Sequence, residues 1–179
     1  MYESVLKCNF SYTLAFKLFL NNPNPRINRQ MSHILGVFEC TLDAKQRIKV
    51  PTGLIGQLPA TDEGKLVLTI GVDKCIYLYT ESEFRKELDI VMSIPEHTAE
   101  NRRYKNSFFA GTHPVTIDSA ERILIPKSLL AHAGITKDIL INGQGDKALI
   151  WDQAIYNKDV VGISGDEYQK LYEKVRGVK

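Results

Sequence analysis

The sequence contains few cysteines, and their placement would not cross-link the chain. Its 179 residues include Cys8, Cys40 and Cys75, which lie far apart and form no C-x-x-C motif. An odd and scattered set argues against a disulfide scaffold and fits a reducing compartment. We therefore expect the cysteines to be small apolar residues of a cytoplasmic protein.

The sequence also lacks the patterns of common catalytic, cofactor and metal sites. It has no G-x-S-x-G, P-loop or G-x-G-x-x-G motif. Its histidines show no ligand spacing, so we predict no metal, no cofactor and no small-molecule substrate. One enzyme alternative is a duplicated barrel that brings two carboxylates together, as in paired-carboxylate hydrolases. Asp43 and Asp118 lack the D-[ST]-G pattern of those sites, so we do not expect an enzyme.

Long apolar runs and a strong overall charge are absent as well. The apolar stretch at residues 9–20 is interrupted by Lys17 and is too short to span a membrane, so no membrane partner is expected. The net charge is +2, of which residues 1–30 carry +3, so the remainder carries −1. A nucleic-acid-binding body would therefore need a local basic patch and help from oligomerisation.

The first thirty residues differ from the rest of the chain. A turn-rich stretch, NNPNPRINRQ, directly precedes Met31. We interpret residues 1–30 as an N-terminal extension that is non-native or disordered, with Met31 as the natural start. A cleaved signal peptide is the alternative interpretation.

The body of the chain contains an internal repeat. The segment DAKQRIKVP at residues 43–51 recurs as DSAERILIP at residues 118–126, an offset of 75 residues. Further matches follow in order, with Tyr79 on Trp151 and Phe84 on Tyr156. This series predicts a tandem duplication, with residues 31–105 as the first repeat and residues 106–179 as the second repeat and a C-terminal helix.

Each repeat is predicted to be a hairpin, a short helix, a second hairpin and a further helix. Asp43 and Asp118 lie at turns, because an Asp side chain can accept from the backbone two residues on. Each return strand alternates, so Ile48 points inward while Arg47 and Lys49 point outward. Two such units can pair their hairpins into one small barrel with internal two-fold symmetry, which removes exposed edges. The expected strands are 36–42, 113–117, 66–71, 75–79, 138–142 and 147–151, and the longer helices are 81–93, 97–109, 152–158 and 165–176.

This set of motifs resembles the MraZ family. The resemblance is carried by D-x-x-x-R-I-x-[VI]-P twice, by Arg102-Arg103-Tyr104 with Phe108-Phe109, and by L-Y-x-x-x-x-F at 78–84 with I-W-x-x-x-x-Y at 150–156. It covers about residues 31–160. It implies a mixed α+β fold: a small swapped-hairpin (double-split) β-barrel of AbrB type, formed by two tandem repeats and decorated with helices.

The resemblance also implies a function. It implies a sequence-specific transcriptional regulator that binds direct repeats in the promoter of the division and cell-wall gene cluster. Its partners would be double-stranded DNA and further copies of itself in a ring-shaped homo-oligomer, in the cytoplasm and associated with the nucleoid. The alternative is an AbrB-like antitoxin or protein-interaction module.

The two D-x-x-x-R motifs are the DNA-binding surface that the resemblance implies. Arg47 and Arg122 would contact DNA, since arginine suits both phosphate and guanine edges. The alternative is an Asp–Arg pair that only holds the turn, and Asp43 and Asp118 are expected to orient the arginines rather than to touch DNA. Lys45 and Lys49 are candidate phosphate contacts, although exposed lysines are usually only solvated.

Two features depart from a simple basic surface. The family commonly has Gly before the motif Arg, whereas this chain has Gln46 and Glu121. We therefore expect a differently shaped turn, and weaker DNA binding by the second copy because of the charge of Glu121. Arg102, Arg103 and Lys105 could form a second basic patch, a helix surface or an inter-subunit contact.

Overall fold

The computed structural model describes residues 33–161 and 163–177. The expectation for residues 1–30 lies outside the described residues. Of the helices that are described, none is both long enough and apolar enough to cross a membrane. The strands are β1 (Ile34–Thr41), β2 (Arg47–Lys49), β3 (Lys65–Ile70), β4 (Ile76–Thr80), β5 (His113–Thr116), β6 (Arg122–Leu124), β7 (Asp138–Gly145) and β8 (Lys147–Asp152). The α-helices are α1 (Thr52–Ile55), α2 (Glu81–Ser93), α3 (Ala99–Ala110), α4 (Lys127–Ala133), α5 (Gln153–Asp159) and α6 (Gly165–Arg176), with a 3₁₀ turn at Ala60–Asp62.

Of the strand pairings in the described part of the chain, four join the two repeats, and only the β3–β4 and β7–β8 hairpins pair within one repeat. Six antiparallel strands form a sheet in the order β1-β7-β8-β4-β3-β5, and β2 pairs with β6 in a separate ribbon. Exchanging β1–β4 for β5–β8 leaves this pairing pattern unchanged, so the arrangement has an internal two-fold relationship. Neither repeat completes a sheet by itself, because β1 pairs with β7 and β3 pairs with β5.

The closed barrel expected from the sequence is not formed. β1 and β5 are the two edges of the six-stranded sheet, and the ribbon of β2 and β6 stands apart from it. Only an isolated bridge between Leu42 and Ile48 extends from the end of β1 to the ribbon. Each ribbon strand is three residues long and pairs with the other ribbon strand, so neither joins an edge of the sheet. The fold is therefore an open antiparallel sheet, covered on one side by a ribbon and short helices.

The main core lies between this sheet, the ribbon and the short helices α1 and α4. Ile48 and Ile123 are buried opposite each other in the ribbon, while Lys49 and Leu124 are exposed. This alternation follows from the two-residue period of a strand. The fully buried side chains of the core come from both repeats and include Ile34, Ile48, Leu54, Leu66, Leu68, Ile76, Leu78, Ile123, Ile125, Leu129, Ile139 and Ile141.

The second hairpins end in equivalent aromatic pairs. Tyr79 and Phe84 meet edge-on with ring centroids 6.0 Å apart, and Trp151 and Tyr156 do so at 6.2 Å. In each repeat the following helix begins after a side-chain cap: the Thr80 hydroxyl accepts from the backbone of Glu83, and the Asp152 carboxylate plays the same part for α5. The repeated aromatic positions in the sequence therefore have the same structural role.

Candidate nucleic-acid interface

The first D-x-x-x-R motif folds into a turn that holds its own arginine. Asp43 Oδ1 accepts from the backbone N–H of Lys45 at 2.8 Å and of Arg47 at 2.9 Å. Asp43 Oδ2 accepts from Arg47 Nε at 2.9 Å and lies 2.8 Å from Arg47 Nη2. One carboxylate therefore shapes the backbone with one oxygen and orients the guanidinium with the other.

The second motif repeats this geometry almost atom for atom. Asp118 Oδ1 accepts from the backbone N–H of Ala120 at 2.8 Å and of Arg122 at 2.9 Å. Its Oδ2 accepts from Arg122 Nε at 3.0 Å and lies 2.9 Å from Nη2. The sequence repeat thus produces two matched, charge-assisted Asp–Arg turns.

Gln46 and Glu121 adopt the left-handed backbone conformation, with φ of 62° and 59°. Glycine adopts this conformation without steric cost, so both turns have the backbone conformation that a glycine would give them. Our expectation of a differently shaped turn is wrong in this respect. Hydrogen bonds to the other repeat hold the conformation: Gln46 O accepts from Ile125 N at 2.9 Å, and Glu121 O accepts from Val50 N at 2.7 Å. These carbonyls extend the ribbon by one bond at each end.

The ribbon brings both turns onto one exposed face. Arg47 lies opposite Leu124, and Lys49 lies opposite Arg122, with Ile48 and Ile123 between them on the buried side. The side chains of Arg47 and Arg122 keep 26% and 35% of their surface exposed, so both remain partly accessible. We call this face, made of Arg47, Lys49, Arg122 and Leu124, the ribbon face.

The two halves of the ribbon face, Arg47 with Leu124 and Arg122 with Lys49, differ in charge. Lys49 Nζ lies 3.6 Å from a carboxylate oxygen of Glu121, and both side chains are largely solvated. Glu121 therefore offsets a positive charge beside Arg122. Lys45 is exposed in the first turn, where the second turn has Ala120. The first half is the more basic of the two.

The motif aspartates remain ionised under ordinary conditions. The pKa of Asp43 is lowered from its usual value by the backbone N–H of Arg47 and then by its guanidinium. The pKa of Asp118 is lowered by the guanidinium of Arg122 and then by its backbone N–H. Because folding lowers these pKa values, their stabilising contribution is present above the unfolded value and is lost as the pH falls through the folded value.

Of the three cations for which the sequence left a basic patch, a helix surface or an inter-subunit contact open, two are occupied in contacts within the fold. Lys105 is buried, and its Nζ lies 3.0 Å from Glu96 Oε1. Arg102 Nη1 donates to the carbonyl of Glu96 at 2.7 Å. These bonds tie α3 to the segment that follows α2. Arg103 remains on the helix surface, which leaves the ribbon face as the stronger candidate interface.

Sequence reasoning missed the part played by the backbone at Gln46 and Glu121. Their equal spacing before each motif Arg was visible, but a carbonyl partner in the other repeat cannot be found without the fold. Among the residues that the structure describes, no group of three or more His, Cys, Asp or Glu side chains is placed to hold a metal ion.

Fold and site together define a two-repeat α/β protein that carries paired Asp–Arg turns on a strand-exchanged ribbon. The model of the MraZ protein family, whose description likens it to an antitoxin, matches residues 34–107 and again residues 108–161. The chain belongs to the MraZ family.

Curated relatives that carry the family's name align with most of this chain. The transcriptional regulator MraZ of Cytophaga hutchinsonii is 40% identical over 144 residues, 80% of this chain and 95% of the relative. That of Christiangramia forsetii is 31% identical over 148 residues, 82% of this chain and 95% of the relative. That of Mycoplasmoides gallisepticum is 33% identical over 124 residues, 69% of this chain and 84% of the relative. Each of these relatives is named a transcriptional regulator.

Glycine at either left-handed position is expected to stabilise the protein. Gln46→Gly and Glu121→Gly should each raise the free energy of unfolding by about 0.5–1 kcal/mol, because relief of the left-handed strain outweighs the entropy of glycine. Chemical denaturation would measure this. Ala44→Gly is the control within the same turn, since Ala44 has no positive φ, and it should lower stability instead. Equal losses for Ala44→Gly and Gln46→Gly would contradict the prediction.

Proposed function

We propose that the chain is a sequence-specific DNA-binding transcriptional regulator and that the ribbon face is its DNA contact. The observation that carries this proposal is the duplication of one Asp–Arg turn on a single exposed face. Both arginines keep part of their side-chain surface open, so an outside acceptor can reach them. The transcriptional regulators among its relatives support the proposal.

The geometry of each turn suits recognition of DNA. The bonds to aspartate use Nε and Nη2, so each arginine retains further N–H donors for an outside acceptor. A guanidinium held in this way can bond phosphate, or O6 and N7 of guanine, with little loss of conformational freedom. A two-stranded antiparallel ribbon also fits the width of the major groove. In this proposal Asp43 and Asp118 act as orienting residues, and Lys45 and Lys49 contact phosphates.

The strand exchange between the repeats supports an AbrB-type swapped-hairpin description of the fold. In our proposal the hairpins of both repeats interlock, and the ribbon that results is the DNA-binding element. This would explain why the motif is present twice: neither copy could form the ribbon alone, because β2 needs β6. Such a regulator would work in the cytoplasm, on the nucleoid.

We further propose that the regulator acts as a ring of identical subunits. A ring needs two different, complementary surfaces on each subunit. The helix α6 has no buried residue and carries an exposed apolar row at helical spacing: Tyr168, Leu171, Tyr172 and Val175. The other surface is a groove of about 260 Å³ between the β3–β4 hairpin and α3, lined by apolar side chains that include Val72, Tyr104 and Phe108. In this arrangement the helix of one copy occupies the groove of the next.

A charge placed in the apolar row of α6 is expected to break the ring. Leu171→Asp should reduce the molar mass measured by light scattering to that of smaller species, because an unpaired carboxylate in the interface costs several kcal/mol. Lys170→Asp, on the same helix, is the control and should leave the mass unchanged. A mass that Leu171→Asp does not alter would rule out α6 as the contact.

The proposed target is a set of direct repeats in the promoter of the division and cell-wall gene cluster. Several subunits would each meet one repeat, so affinity would come from multivalency. The test is binding to a labelled duplex of the promoter upstream of its own gene, against a shuffled duplex, over a series of salt concentrations. Preference for the promoter, with log K falling linearly against log salt, is expected. Equal binding of both duplexes at low salt would overturn the proposal.

A second candidate is an antitoxin-like module that binds a protein, since the matching family model carries that comparison in its description. The exposed apolar groove is the feature that favours it. The promoter experiment separates the two functions, because an interaction module without a DNA role should not distinguish the promoter from its shuffled control.

A further inference from the structure

The ribbon face breaks its own two-fold symmetry at one pair of positions. Lys49 of the first repeat and Leu124 of the second occupy equivalent places in β2 and β6. Leu124 is 54% exposed, although it lies on the same face as Arg47, Lys49 and Arg122. A large apolar side chain among three cations is therefore exposed to any molecule that the ribbon face binds.

The surroundings of Leu124 leave its side chain free for an outside contact. Its cross-strand partner is Arg47, whose guanidinium is turned toward Asp43. Cross-strand side chains lie about 5 Å apart, a distance between one and two base-pair steps of about 3.4 Å along a duplex. Arg47 and Leu124 can therefore contact neighbouring base pairs in one groove. Apolar atoms on base edges in the major groove are few, and the thymine 5-methyl group is the one that apolar side chains contact.

We propose that Leu124 contacts the 5-methyl group of a thymine in the major groove, beside the base pair that Arg47 contacts. This inference rests on the proposed DNA-binding function. It adds that the two ends of the ribbon face contact different parts of the DNA. One end of the ribbon face reads a base through Arg47 and a methyl group through Leu124. The other end holds Arg122 with Lys49 and Glu121 and contacts the backbone. An asymmetric reader of this kind binds its site in one direction, so subunits that follow one another in the same orientation bind direct repeats.

The test uses the full chain and the promoter duplex. Thymines are replaced by deoxyuridine, one position at a time and in every repeat, which removes the methyl group and keeps the base pairing. At one position wild type should lose about threefold to tenfold in affinity. Leu124→Ala should bind thymine DNA more weakly by a similar factor and should be indifferent to deoxyuridine at that position. Leu124→Lys, which copies the first repeat, should be equally indifferent.

Leu35→Ala is the matched control, because Leu35 is an exposed leucine on the edge strand β1 and lies outside the ribbon face. It should keep the full response to deoxyuridine. Circular dichroism would establish that the variants fold. If wild type prefers the promoter but Leu124→Ala responds to deoxyuridine as wild type does, the role of Leu124 is overturned and the DNA-binding function stands. If wild type shows no promoter preference, the function fails and the inference fails with it.

Discussion

Alanine in place of Arg47 should weaken binding to the promoter duplex about tenfold to a hundredfold at a single site. A well-oriented arginine contact to a base contributes about 1–3 kcal/mol of discrimination, and a ring multiplies the loss over several subunits. Arg122→Ala should have a smaller effect, because Glu121 already offsets the positive charge of that half of the ribbon face. Binding isotherms on promoter and shuffled duplexes would measure both changes.

Arg85→Ala is the control for these two variants. Arg85 also pairs with a carboxylate four residues away, Glu81, but it lies on α2 and outside the ribbon face. It should leave DNA binding unchanged. Thermal unfolding of the same variants tests the alternative that the motif only holds a turn: in that case Arg47→Ala would lower the melting temperature and leave promoter affinity as it was.

Asp43→Asn separates orientation from contact. The amide oxygen can still accept from the backbone of Lys45 and Arg47, while the charge that holds the guanidinium is removed. If aspartate acts only through Arg47, combining the two substitutions should weaken binding no further than Arg47→Ala does alone. This non-additivity is the expected sign of an orienting residue.

The local structure could be predicted from the sequence because its signals lie within a few residues. The Asp of each turn, the alternation of Arg47, Ile48 and Lys49, and the Pro that closes each ribbon strand all act over short distances. The β3–β4 hairpin also follows the predicted ranges closely, whereas β7 runs three residues past its predicted end at 142, because residues 143–145 pair with β1. The matching family model confirms that the repeated segments are two copies of one unit.

The rest depended on packing between distant segments. The pattern around Lys105 reads as a basic helix surface, yet that side chain is buried against Glu96 because α3 folds back on the end of α2. The prediction of a closed barrel was wrong for a similar reason. Whether a three-residue strand joins a sheet depends on which other strands pack close enough to pair with it. The left-handed Gln46 and Glu121 are held by carbonyl bonds across the repeats. The sequence of one repeat alone does not include these hydrogen-bond partners.

The largest loss of stability is expected where the two repeats meet inside the ribbon. Ile48 and Ile123 face each other across it and are 0% and 1% exposed. Ile123→Ala should lower the free energy of unfolding by about 2–5 kcal/mol, through lost burial and the cavity that remains. Leu124→Ala, one residue further along and exposed, should change it by less than about 0.5 kcal/mol. Because β2 and β6 come from different repeats, unfolding of Ile123→Ala should remain one cooperative transition in chemical denaturation. Two separate transitions, or equal midpoints for the two variants, would mean that the ribbon does not join the repeats into a single core.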